Sequence, residues 1–353
     1  ANIAPLAPTS PSHFFRIRLE LDADFNGTAE TTSYTETAGY YRRTYGTAIE
    51  TLCIPFLYCN TFAGQVDAVI GQTLSIASSI ATGDFTTTLT TGVPYYIEVL
   101  VGDHAGHRFE VNETASLPNA IAIDTASPLN TLPTLPATLA ADRIAVRRHH
   151  TLDSFFHKPH FNATNDPATA ARVLFFESGN FRTYWLFRAG GNPYWVQAGD
   201  NLLRNVGTRI IPPSEGLYVN PRSSTPTLTI TGKVRSTPFV TPLLVGPNLI
   251  AGGWPMTQSP TQRAYTAAAG LTGSLAPANS DRLLFWLGDT TPAASGYDGH
   301  FLFRSGTVSF WTTEQNSSFI NENNLPLLKP LRATLLRSKT GLPTHTQPNP
   351  WTP

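Results

Sequence analysis

The chain has 353 residues, enough for two or three cores of ordinary size, so more than one domain is expected. Its 24 Lys and Arg balance 24 Asp and Glu, which removes any global field for nucleic acid or anionic lipid. Only 14% of residues are charged, so neutral surfaces that pack on copies of themselves are expected, and no apolar run reaches the roughly 18 residues a membrane-spanning helix needs.

The chain opens on Ala1 rather than Met, which reads as removal of a signal peptide and export to the cell surface or medium. A tail with Pro5, Pro8 and Pro11 precedes Phe14 to Leu21. In that segment Phe15, Ile17, Leu19 and Leu21 fall on one face and Arg16, Arg18 and Glu20 on the other, the period of a half-buried strand. The stretch from Asp22 to Thr32 is polar and turn-prone, so no short hairpin fixes a partner for this strand. A sheet at a distance is expected to receive it, and a neighbouring molecule is the leading candidate.

Tyr40, Tyr41 and Tyr45 beside Arg42 and Arg43 form a candidate interface cluster, since Tyr and Arg are enriched at interfaces. Cys53 and Cys59 are the only cysteines. They form either a small disulfide loop in an oxidising compartment or two buried thiols, and a bridge requires Pro55 to start a turn.

From residue 61 to 149 the pattern is that of an inserted β-barrel-like unit. Gln65 to Ile76 reads as strand, Gly turn, strand; Tyr95 to Val101 is strongly apolar; Arg108 to Val111, Ala120 to Ile123 and Arg143 to Val146 supply further strands. His149, His150, His157 and His160 follow. No Cys, Asp or Glu near them has ligand-like spacing, so a polar inter-domain loop is preferred to a metal site, and no cofactor is expected.

A degenerate repeat organises the remainder. Arg172 to Phe176 matches Arg282 to Trp286, and Leu186-Phe187-Arg188 with Trp195 matches Leu302-Phe303-Arg304 with Trp311. The first unit is expected over 33–60 plus 150–235 and the second over 236–340. An extension (1–32) lies before them and a Pro-rich tail (341–353) after. Phe175, Trp195, Phe285 and Trp311 are expected in the two cores, with sugar stacking by these and the neighbouring aromatics as the alternative. Helix candidates are short, at 168–173 and 266–271. The fold class is all-β, built from several small sandwich or barrel units with an N-terminal extension strand.

In their order, Gly64 to Ile76, Tyr95 to Gly102 and the two aromatic units resemble an uncharacterised family of exported bacterial proteins known mainly from the Planctomycetes and Verrucomicrobia group. The likeness covers about residues 33–340. It implies export and an all-β fold without an assigned activity, and it leaves the strand at 14–21 unexplained.

No motif pairs Asp103, Glu177, Asp281 or Asp289 with a base, and Ser178 lacks the preceding glycine of a nucleophile elbow, so catalysis is not expected. Sequons at Asn26, Asn112, Asn162 and Asn316 make glycans candidate partners. The leading expectation is a structural subunit of an extracellular filament. It polymerises head-to-tail as Phe15, Ile17, Leu19 and Leu21 of one copy complete a sheet of the next. The alternative is a secreted monomeric adhesin or carbohydrate-binding module.

Overall fold

The computed structural model describes residues 12–15, 18–21, 31–34, 37–76, 84–177, 179–291, 294–315 and 317–350. Six strands open the chain: β1 (Ser12–Phe15), β2 (Arg18–Leu21), β3 (Thr31–Tyr34), β4 (Ala38–Thr44), β5 (Glu50–Leu52) and β6 (Phe56–Leu57). Then come β7 (Asn60–Ile70), β8 (Thr73–Ile76), the helix α1 (Phe85–Thr88), β9 (Tyr95–Val101), β10 (Arg108–Glu110), β11 (Ala120–Ala122) and β12 (Arg143–Arg148). The next stretch holds β13 (His150–Thr151), the helix α2 (Leu152–Phe155), β14 (Arg172–Glu177), β15 (Asn180–Phe187), β16 (Tyr194–Gln197), β17 (Ile210–Ile211), β18 (Leu217–Asn220) and β19 (Thr227–Val234). Last are β20 (Phe239–Leu243), β21 (Gly246–Ile250), β22 (Arg282–Trp286), β23 (Tyr297–Ser305), β24 (Val308–Thr313), β25 (Thr334–Ser338) and β26 (Leu342–Gln347). Both helices are single turns, so the fold is all-β. The Ala-rich stretch at 266–271 closes only into a 3-10 turn over Ala267–Ala269, ended by Gly270 in the left-handed region.

Strands β10-β9-β12-β7-β8-β11 form one six-stranded antiparallel sheet. Its ends meet through Asn112 N–H to Ala122 O and Asp124 N–H to Glu110 O, both 2.9 Å, so the sheet curls into a barrel. Alternation decides what fills it. Tyr95, Ile97 and Val99 on β9, Phe109 on β10, and Ile144 and Val146 on β12 point inward and are buried together. Gly71, at a φ of +61°, makes the tight β7–β8 turn that a β-branched residue would strain.

Two five-stranded antiparallel sheets form the body, in the orders β16-β15-β14-β18-β5 and β24-β23-β22-β25-β21. Position by position the two orders carry corresponding strands, the last taken from far earlier in the chain than its neighbours. Leu186 pairs with Trp195 in the first sheet and Leu302 with Trp311 in the second, so each Trp occupies the same register. The first sheet's inner face joins the largest core, and the second has a core of its own. Between them a small apolar layer of Leu174, Tyr218, Leu249, Trp286, Ala333 and Leu335 holds the sheets together. The Tyr218 and Tyr297 hydroxyls share a 2.7 Å hydrogen bond across the seam.

Within the Pro-rich tail, residues 342–347 are held down as β26, which pairs antiparallel with β20, and His345 and Gln347 are buried. Pro343 is tolerated since β26 has a neighbour on one side only.

Candidate assembly interface

The N-terminal segment forms two strands, β1 and β2, with residues 16 and 17 outside the described residues. β1 lies antiparallel on β4, Ser12 opposite Tyr41 and Phe15 opposite Ala38, at the end of a four-stranded sheet ordered β1-β4-β19-β6. Of its side chains, that of Phe14 is 43% exposed, with its ring 6.3 Å from Phe56. β2 pairs with β3, Arg18 opposite Tyr34 and Leu21 opposite Thr31. This corrects the expectation that no local partner exists. A nine-residue connection closes the hairpin, and loop-closure entropy grows only slowly with length, so a long polar loop does not forbid pairing. Ile17, and the side chains of Phe15, Leu19 and Leu21, fall outside the described residues.

Without β1, β4 would be the outer strand of its sheet, and its backbone groups from Ala38 to Tyr41 would face solvent or another chain. Tyr40 and Tyr41 sit half-buried at this edge, whereas Tyr45 is fully buried. Arg43 lies over the Tyr45 ring at 4.5 Å, with Nη2 on Glu50 at 2.8 Å and Asp289 at 3.2 Å. The aromatic-basic cluster is thus divided between an edge, a core and an ion-pair network.

Phe175 and Trp195 are buried in the largest core and Trp311 in the second, with Phe285 half-buried against it. Trp311 Nε1 donates to the Tyr265 carbonyl at 2.6 Å. No open row of rings for stacking sugars arises from these four.

Cys53 is buried and Cys59 exposed, and both are free thiols, so the disulfide expectation is corrected. The reason is local: β6 lies between them and pairs with β19, which keeps the segment extended where a bridge needs Pro55 to start a turn. Burial raises the Cys53 thiol pKa. Native protein treated with a thiol-reactive label is expected to take up one equivalent rapidly at Cys59, and a second only on denaturation. Two equivalents of slow uptake, or none without reductant, would contradict this arrangement.

The most charged buried region was not anticipated. On β9, β10 and β12, Tyr96, Glu98, Arg108, Glu110 and Arg147 face out of the barrel and are buried because the body covers this part of it. Glu98, fully buried, accepts from Arg147 Nε at 2.9 Å and Thr237 Oγ1 at 3.1 Å, and pairs with Arg235. Arg108 donates to the Val240 carbonyl at 3.0 Å and lies over the Phe239 ring; burial pulls its pKa down to about 10. His149 Nε2 meets Glu110 at 2.8 Å. Gly106, at a φ of +90°, lets the barrel approach the body, since a Cβ there would lie 2.7 Å from the Pro238 oxygen. A signal was present in the sequence: Glu98 interrupts the apolar run Tyr95 to Val101, where an unpaired carboxylate would be prohibitive. The other histidines stay apart from this network. His157 and His160 face each other at 4.5 Å, and among the described residues no three potential ligands converge on a metal position.

Glu215 lies at the junction of the two body sheets, bridged to Ile250. Burial pushes its carboxyl from an ordinary 4.5 up to about 7, against the pull of Arg209 and with a smaller push from Glu177. Between those values the folded state holds a proton that the unfolded chain has released, so stability falls as pH rises through this window. Glu215→Gln is expected to flatten that slope in denaturation curves. An unchanged slope would assign the pH dependence elsewhere.

Compared with protein-family models, curated proteins and solved structures, the chain matches none.

Proposed function

We propose that the chain is a structural subunit of an extracellular filament, joined head-to-tail by the N-terminal strand of one copy lying on β4 of the next. The observation that supports this reading is the position of β1: the first described strand, which completes the edge of a sheet formed by β4, β19 and β6 and is joined to β4 through a separate hairpin. An edge strand of this kind makes the same backbone ladder when a neighbour supplies it. Exchange then costs the β2–β3 pairing and the linker's conformational preference. The interface is heterologous and need not close, so repetition gives a fibre. The even charge balance and low charge density suit close packing of copies.

A specific observation favours a second reading, a secreted monomeric adhesin or carbohydrate-binding module: in the single chain, β1 and β2 both pair within their own molecule. Negative-stain imaging of the full chain beside a chain lacking residues 1–22 separates the two. Fibres from the full chain alone support exchange, and monodisperse particles from both support the module.

A further inference from the structure

We propose that a cleft between the first and second body units binds an acidic saccharide, through cations that the fold leaves without counter-ions. The cleft encloses about 540 Å³ and lies between β4, the turn at Gly288–Thr290 and the segment 329–332. Four cationic residues (Arg42, Arg43, Lys329 and Arg332) and two acidic ones (Glu50 and Asp289) line it, a formal charge of +2 on a chain whose net charge is zero.

The floor of the cleft is already satisfied. Arg43 bridges Glu50 and Asp289 and donates through Nη1 to the carbonyls of Thr51 and Leu331, each at 2.8 Å. Asp289 also accepts from the Thr51 amide at 2.7 Å and the Thr51 hydroxyl, and Glu50 accepts from the Gly46 amide at 2.6 Å. An incoming cation would find both carboxylates engaged. An incoming anion meets a different surface: among the described residues no carboxylate pairs with Arg42, Lys329 or Arg332. Arg42 and Lys329 are exposed and Arg332 is half-buried, so the uncompensated charge lies on the accessible rim above a neutralised base.

The remaining lining selects among anions. Tyr41 is half-buried on one wall and offers a ring for the C–H face of a sugar, while Thr44, Thr257 and Thr290 bring hydroxyls. A carboxylated sugar uses both the rim charge and these neutral groups. A bare inorganic anion uses only the charge. This assignment does not depend on the assembly reading, because every residue named belongs to the folded body of one chain.

Isothermal titration of the full chain with digalacturonate at low salt is the test, with lactose and inorganic sulfate as comparison ligands. Digalacturonate is expected to saturate one site per chain, weaken as salt rises, and bind at least about tenfold more weakly to the Lys329→Ala, Arg332→Ala double variant, as loss of charge-assisted hydrogen bonds implies. Arg42→Ala alone should weaken it less. Lactose is expected to give no saturable heat. Absence of digalacturonate binding, equal affinity in the double variant, or lactose binding as tightly would each overturn the proposal; sulfate binding as tightly would reduce the cleft to a simple anion site and overturn the saccharide assignment.

Discussion

Removing residues 1–22 is expected to abolish filaments completely while leaving a body that unfolds cooperatively, as read by negative-stain imaging together with circular dichroism. Among the described residues, the members of the three main cores all lie after that segment, and its loss removes the β1–β4 and β2–β3 ladders. What exchange would transfer is the four-residue ladder of β1, Ser12 to Phe15, on β4; Arg18 to Leu21 belong to a separate pairing with β3, so the segment 14–21 does not act as one alternating face. Twelve residues from Asp22 to Ser33 extend to roughly 40 Å once the β2–β3 pairing opens, enough to carry β1 from its own β4 to a neighbour's. Phe14→Asp, in β1 with its ring 6.3 Å from Phe56, is expected to reduce assembly by placing a charge against that ring. Continued growth of filaments from the truncated chain would refute strand exchange and leave the monomeric module as the better account.

The largest stability loss from a single substitution is expected at Glu98. Its carboxylate is the shared counter-ion of Arg147 and Arg235, both buried, and Glu98→Ala strands two guanidinium groups between barrel and body. Breaking a buried pair by removing one partner costs about 3–5 kcal/mol, because the charge that remains cannot reach water. A urea midpoint shift of that size is the expected result. A second variant isolates the cause: Glu98→Met combined with Arg147→Met and Arg235→Met removes the charges together, and most of the lost stability should return. If the triple variant is no more stable than Glu98→Ala, packing rather than unpaired charge explains the loss. The same network accounts for the fixed seat of the barrel. Apolar contact alone tolerates sliding, whereas Glu98 meets three donors from two parts of the chain in one geometry.

Much of the strand pattern could be read directly from residue order. Thr227 to Val234 alternates in sequence and in burial, and Gln65 to Ile76 turns at Gly71 as its composition implies. Local periodicity carries this information because a strand's two faces are set by neighbouring residues alone. The matched residues around Trp195 and Trp311 likewise lie at equivalent registers, since a strand pair with its turn is a local unit.

Other features belonged to the tertiary structure. Cys53 and Cys59 were close enough in sequence to invite a bridge, yet the pairing of β6 with β19, nearly 180 residues on, keeps them extended. The C-terminal residues read as a proline-rich tail until β20 supplied a partner, and β2 found β3 across a turn-prone loop too long to signal a short hairpin. The outward face of β9, β10 and β12 has the polar pattern of a solvent face, and only the body packed over it makes Glu98, Arg108 and Arg147 interior charges. The rim of Arg42, Lys329 and Arg332 brings together residues almost 300 positions apart. The sequence by itself determined the all-β class and the alternation that fills each core, because these depend on spacing within a few residues; the single strand expected over 14–21 is instead two strands in two sheets. Which edge meets which strand, which charges are buried and where cations gather were decided only by the tertiary structure, because each depends on the free energy of bringing distant segments together.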